Sequence, residues 1–278
     1  MTPEGELLHE GEPSASEFKE SKWESCSCEN HGSPISVVPL EDATRFTIRE
    51  AEMIQGVMFD VDGTLVDSVD LHARAWKDAF RRFGRDVAFE EVRRQIGKGA
   101  DQLLPVFFSK EELSEFGTPL EEYRAELFKQ AYLPRVKPFP RVRELFRKIV
   151  GEGKRIVLAS SGSKDEITHY KKLAGIEDLV AAETSADDVE RSKPHPDIFA
   201  VALSRLGTKK DEAVVVGDTP YDAEAANKLG LETIGLLCGG FPEKDLLRAG
   251  CFAIYRDPEE LLVEYPQWSR AQPSLSHA

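Results

Sequence analysis

The chain has 278 residues, 41% apolar and 31% charged, enough to bury a sizeable core, and it lacks the run of about 18 apolar residues that a membrane span requires. Its net charge of −14 argues against broad nucleic-acid contacts, although a locally basic pocket for an anionic metabolite stays compatible with it. Four cysteines make no disulfide framework and fit a reducing cytoplasm.

Residues 1–53 hold 12 acidic and 4 basic residues, which is −8 of the total charge. They mix Glu, Ser, Gly and Pro without a helical or strand period and read as a disordered acidic tail. Cys26, Cys28 and His31 are three potential ligands without a second pair, so they read as incidental rather than as a metal knuckle. The segment has neither the basic start nor the apolar run of a secretory leader. Met53 stands directly before the first predicted strand, which also admits a later start.

From Ile54 short apolar runs alternate with longer amphipathic stretches, the pattern of an α/β fold. Strands are predicted over 56–59, 155–159, 180–183, 213–216, 233–237 and 252–255. Several are apolar at consecutive positions, as in a parallel sheet covered on both faces. Crossover helices are predicted over 142–150, 165–174, 197–206 and 221–229. Ser163 with Glu166 makes a capping box, and Asp257, Pro258 and Glu260 open a last helix. Residues 68–135 break the rhythm and read as a helical insert. In it Leu71, Ala75, Ala79 and Phe83 recur on one face, and Thr118-Pro119 is expected to start a helix carrying Leu120, Tyr123, Leu127 and Ala131. Pro134, Pro138 and Pro140 mark the return path, and residues 267–278 are expected to be a C-terminal tail.

Four short segments carry the chemistry, each at or after the end of a predicted strand, where residues distant in sequence converge in an open α/β sheet. The first is Phe59-Asp60-Val61-Asp62-Gly63-Thr64. Two carboxylates two residues apart can supply a ligand for a hard cation and leave an acid for proton transfer, while Gly63 permits a sharp turn close to an anion. An ordinary Asp-Gly turn is the bland alternative. The second, Ala159-Ser160-Ser161-Gly162, offers hydroxyls and backbone N–H groups for an anion. The third, Ser192-Lys193-Pro194-His195-Pro196, holds a lysine in a rigid loop where it can neutralise a phosphoryl group. His195 reads equally as a residue packed between prolines. In the fourth, Gly217-Asp218-Thr219-Pro220-Tyr221-Asp222, Asp218 can complete a divalent-metal site and Asp222 either supports it or serves as a helix N-terminal charge.

In this order the four segments resemble the haloacid dehalogenase superfamily of phosphohydrolases over roughly residues 54–265. The resemblance implies a Rossmann-like α/β core (54–67 and 136–266) with an α-helical cap (68–135). It also implies Asp60 as nucleophile and Mg²⁺ ligand, and Asp62 as general acid and base lending its backbone carbonyl to the metal. Asp218 would bind the metal, Asp222 would support it, and Ser160, Ser161, Gly63 and Lys193 would hold the phosphoryl group. The run from Asp67 to Trp76 is similar to the cap opening of β-phosphoglucomutases and sugar-phosphate phosphatases, so His72 is a candidate to reach substrate, with a packed helical His as the alternative. Gly97-Lys98-Gly99-Ala100-Asp101 resembles the cap's specificity loop, with Lys98 a further candidate. Ala100 stands where mutases carry an arginine, and Gly217 where they tend to carry an acid. The expected activity is therefore a Mg²⁺-dependent phosphatase of a small phosphorylated metabolite, phosphoglycolate or a sugar phosphate. The alternatives are a phosphomutase and a non-catalytic interaction protein on the same fold. A monomer or homodimer in the cytoplasm, binding neither nucleic acid nor membrane, completes the expectation.

Overall fold

A computed structural model describes residues 54–269. The readings placed on residues 1–53, Cys26, Cys28, His31 and Met53 among them, lie outside the described residues, as do residues 270–278. Strand β1 (Gly56–Phe59) leads into a two-residue strand β2 (Val66–Asp67). Four helices follow: α1 (Val69–Arg82), α2 (Phe89–Arg93), α3 (Ala100–Leu103) and α4 (Lys110–Leu127). The chain returns through β3 (Lys137–Pro138), which pairs antiparallel with β2, so both crossings into the insert lie side by side. Then α5 (Val142–Gly151), β4 (Arg155–Ala159), α6 (Lys164–Ala174), β5 (Ala182–Thr184) and α7 (Asp197–Leu206) alternate. They are followed by β6 (Ala213–Gly217), α8 (Pro220–Asn227), β7 (Glu232–Leu236), α9 (Glu243–Ala249), β8 (Cys251–Tyr255), α10 (Pro258–Val263) and α11 (Tyr265–Trp268).

Six strands form one parallel sheet in the order β5-β4-β1-β6-β7-β8. Because side chains alternate along a strand, the sheet buries two faces at once. Val57, Phe59, Ile156, Leu158, Val214 and Val216 meet α5, α6 and α10 on one face; Met58, Val157, Ala159 and Val215 meet α7 and α8 on the other. The result is a three-layer, Rossmann-like α/β fold. The insert keeps its own core, in which Phe80 packs against Phe107 and Phe108 with centroids 5.1 Å away in each case.

Three expectations change. Pro119 lies inside α4 rather than at its start. The helix begins nine residues earlier at Lys110, where the Ser109 side chain accepts from the Glu112 N–H and the Glu112 carboxylate accepts from the Ser109 N–H. A proline at N1 and a proline tolerated mid-helix look alike in sequence, and a fuller start signal upstream takes precedence. Strand β5 begins at Ala182, not Val180, since it pairs only with Val157–Ala159 of β4. Finally, the C-terminal boundary at 266 is two residues short of buried structure: Trp268 is 1% exposed and its Nε1 donates to the Leu261 carbonyl at 2.9 Å. An aromatic this large, buried on the α10 side of the sheet, belongs to the core.

Candidate active site

Asp60 follows β1, Ser160 follows β4 and Asp218 follows β6, and these three strands are neighbours. Their carboxyl ends therefore bring the three side chains to one place. The loop before α7 adds Lys193, and the first turn of α8 adds Asp222. Lys193 is fully buried; its Nζ donates to Asp60 Oδ1 at 2.5 Å and to the Ala159 carbonyl at 2.9 Å, and pairs with Asp222 Oδ1 at 2.7 Å. Asp222 also closes the start of α8: its Oδ2 accepts from Thr219 Oγ1 at 2.6 Å and from the Thr219 N–H at 3.1 Å. The helix N-terminal reading of Asp222 therefore holds, and the same side chain also faces Asp60 and Asp218. Thr64, quoted in the first segment but given no role there, bridges two of the acids, with Oγ1 3.1 Å from Asp60 Oδ2 and 2.9 Å from Asp218 Oδ1.

Oxygens of Asp60, Asp218 and Asp222 lie within 4.8 Å of one another, all buried, with Lys193 as the ammonium among them. Burial pushes Asp60 up to about 7 against the pull of Lys193, and burial followed by the charges of Asp60 and Asp222 pushes Asp218 well up. Burial works against the Lys193 charge, yet Asp222 and Asp60 hold it protonated above its usual range. Asp218 Oδ2 is buried with no hydrogen-bond partner. Three acids against one base, with an orphaned carboxylate oxygen among them, suit a hard cation, and these residues are able to hold one. Gly63 is required where it stands: φ is +83° and a Cβ would lie 2.4 Å from Asp218 Oδ2. Its N–H donates to the Val66 carbonyl at 2.9 Å.

Asp62 points to the insert side. Its Oδ1 accepts from Ser68 Oγ at 2.6 Å and lies 2.8 Å from His72 Nε2, and its Oδ2 accepts from Ser160 Oγ at 3.4 Å. Burial alone would raise it, but His72, Ser68 and Arg124 hold it at about 2. His72 is stacked on Phe128 at 3.9 Å between centroids, and Arg124 donates to its Nδ1. The Arg124 guanidinium lies over Trp76 at 4.9 Å and Phe128 at 5.0 Å. Arg124 escaped the sequence reading because a cation on a helix face of the insert has no local signal; only the fold puts it opposite Asp62.

The remaining candidates stand at the seam with the insert. Ser161 Oγ donates to the Gly97 carbonyl at 3.2 Å, while Ser160 Oγ accepts from the Gly162 N–H at 2.9 Å. Lys98 donates to Gln95 Oε1 at 2.6 Å and lies over the Tyr221 ring at 4.6 Å, so its ammonium is directed at α8 rather than at Asp60. A cavity of about 840 Å³ opens between Asp60, Asp62 and the insert residues His72, Trp76, Arg124 and Phe128. Its acids, cations and aromatic wall suit a small polar ligand.

A family profile described as haloacid dehalogenase-like hydrolase matches residues 57–236. The phosphorylated carbohydrates phosphatase of Thermotoga maritima is 28% identical over 214 residues, covering 75% of this chain and 97% of that protein. The phosphoglycolate phosphatase of Yersinia pestis is 34% identical over 191 residues, 67% of this chain and 82% of that one. Among solved structures, a hydrolase from Pseudomonas syringae superposes with a TM-score of 0.71 at 29% identity, covering 77% of this chain and 98% of its own.

Proposed function

The chain belongs to the haloacid dehalogenase-like hydrolases, and from that premise we propose that it is a Mg²⁺-dependent phosphatase of a small phosphorylated metabolite, phosphoglycolate or a sugar phosphate. The observation that carries this reading is the meeting of Asp60, Asp218 and Asp222 around Lys193, with Asp218 Oδ2 left without a partner. Bound Mg²⁺ would offset the negative charge of the phosphoryl oxygens and of the carboxylates that hold it.

Lys193 and Ser160 orient the phosphoryl group. An Asp60 oxygen attacks phosphorus, the bond to the leaving oxygen breaks, and Asp62 protonates that oxygen. Asp62 then takes a proton from the water that attacks the phosphorylated Asp60. Bonded to Ser68 and His72, Asp62 is the ionised form suited to this second step. For the first step it must take up a proton, and an incoming phosphoryl dianion favours that by raising the cost of a second negative charge beside it. The helical insert would act as the cap that excludes water, with β2 and β3 as its paired hinges.

The phosphomutase alternative shares the steps up to phosphorylated Asp60 and differs in the acceptor. Ala100, at the cavity wall, supplies no cation for a second phosphate, which favours water. A cytoplasmic monomer or homodimer goes with this reading, and the free thiols of Cys238 and Cys251 suit it. The test is phosphate release from phosphoglycolate and a set of hexose and polyol phosphates, with and without Mg²⁺, by wild type and Asp60→Asn. The expected result is release that requires Mg²⁺ and falls about 10³-fold or more in the variant. Isomerised product that needs a bisphosphate would identify a mutase, and equal inertness of both proteins across the set would favour the interaction protein.

A further inference from the structure

The turn Cys238-Gly239-Gly240 follows β7, and none of the proposed steps uses it. On its inner side it presses on the candidate metal carboxylate: a Cβ at Gly239 would lie 1.7 Å from Asp218 Oδ2. Cys238 Sγ donates to the Gly63 carbonyl at 3.1 Å, and Gly63 is the other backbone packed on that same oxygen. On its outer side the turn meets the insert. Arg93, the last residue of α2, donates from Nη2 to the Gly239 carbonyl at 2.9 Å and from Nε to Asp70 Oδ1 at 2.7 Å. Gly240, at φ +84°, stands in a conformation that disfavours a side chain, and a Cβ there would lie 2.4 Å from Arg93 Nη2, which would have to move. Beside it Tyr221 Oη donates to the Arg94 carbonyl at 2.6 Å. One peptide therefore has its carbonyl held by the insert and its Cα against Asp218.

The geometry points to Arg93 as a positioning residue: by holding the Cys238–Gly240 turn, it makes the place of the Asp218 carboxylate depend on whether the insert is seated. The inference rests on Asp218 holding Mg²⁺, as proposed above. Two glycine backbones bar this oxygen from moving towards either of them, and the Gly239 wall is tied to Arg93. By linkage, a seated insert strengthens metal binding and bound metal favours the seated insert, by the same factor. Charge and geometry oppose each other here. A guanidinium near a divalent cation repels it, so removing Arg93 would tighten metal binding if charge alone acted; loss of the positioning contact weakens it.

The test is Mg²⁺ binding to the substrate-free full chain by titration calorimetry, for wild type, Arg93→Ala, Arg93→Lys, Asp70→Asn and Arg94→Ala, with apo melting curves to show that each variant is folded. Arg93→Ala is expected to raise the Mg²⁺ dissociation constant about 5- to 20-fold, the size of an ordinary coupling. Arg93→Lys and Asp70→Asn should move it the same way by less. Arg94→Ala, which removes an exposed neighbouring charge, should leave it within about twofold, since exposed charges are screened. Should Arg93→Ala fail to fold, the Lys and Asp70 variants decide. An unchanged or tightened dissociation constant in folded Arg93 variants overturns the inference. Asp218→Asn separates the premise: if it binds Mg²⁺ as wild type does, or if wild type binds none, it is the metal reading of Asp218 that fails.

Discussion

Thr64 is a neutral side chain that touches two acids of the site, and its hydroxyl has to choose between them, since one O–H serves either Asp60 Oδ2 or Asp218 Oδ1 at a time. Thr64→Val keeps the shape and removes both contacts. Each hydrogen bond to a charged group is worth about 1.5–3 kcal/mol, so kcat is expected to fall about 10-fold or more with KM little changed. Steady-state kinetics at saturating Mg²⁺ checks this; an unchanged kcat would mean that Thr64 orients neither acid. At this scale the residues that meet were mostly legible beforehand. Asp60, Ser160 and Asp218 stand directly after apolar strands, Lys193 stands beside Pro194 in the loop before α7, and Asp222 stands in the first turn of α8 after Pro220, places that local sequence marks. His72 and Arg124 were harder, because a helix position in the insert says nothing about which loop of the core it will face.

Among the elements, the apolar strands were placed to within a residue or two, because a strand buried on both faces is a nearly continuous apolar run. The interior of the insert and the last described helix, α11, were not. Pro119 gave a false start signal, and α11 has only four residues, too few to show a period. A polar knot, buried at Lys154 and Tyr265 and open to solvent at Glu152, ties α11 to the end of α5. Lys154, 8% exposed, donates to Glu152 Oε2 at 2.9 Å and to Tyr265 Oη at 3.0 Å, and Tyr265 Oη donates to the same Glu152 oxygen at 2.9 Å. Hydrogen bonds from Lys154 and then Lys148 pull Glu152 from its ordinary 4.5 down to about 2. A carboxylate depressed in this way contributes stability that is present above its unfolded value and lost as pH falls through its folded one. Thermal melts of wild type and Glu152→Gln should therefore differ by a constant interval above pH 5, with wild type higher, and converge as pH drops from about 4.5 towards about 2. A gap that persists at the acid end would show that the contribution of Glu152 is packing rather than charge.

For the whole molecule, strand order decides where chemistry can happen. With β4, β1 and β6 adjacent at the centre of the sheet, their carboxyl ends supply Ser160, Asp60 and Asp218 to one crevice. The insert, entering after β2 and leaving at β3, brings His72 and Arg124 to the opposite wall. The α/β alternation made the three layers foreseeable, and the helical break at 68–135 made the insert so. How closely the insert lies on the core was not foreseeable, because contacts such as Arg93 on Gly239 and Ser161 on Gly97 join residues 146 and 64 positions apart. The central claim is that Asp60 carries the phosphoryl group. It is tested most directly by acid-quenching the protein during turnover of its best substrate, reducing any acyl phosphate with borohydride, and sequencing the peptide that contains residue 60 by mass spectrometry. The account predicts homoserine at position 60, formed only with Mg²⁺ and substrate present. Unmodified Asp60 in a protein turning over at full rate, or full turnover by Asp60→Asn, would contradict it.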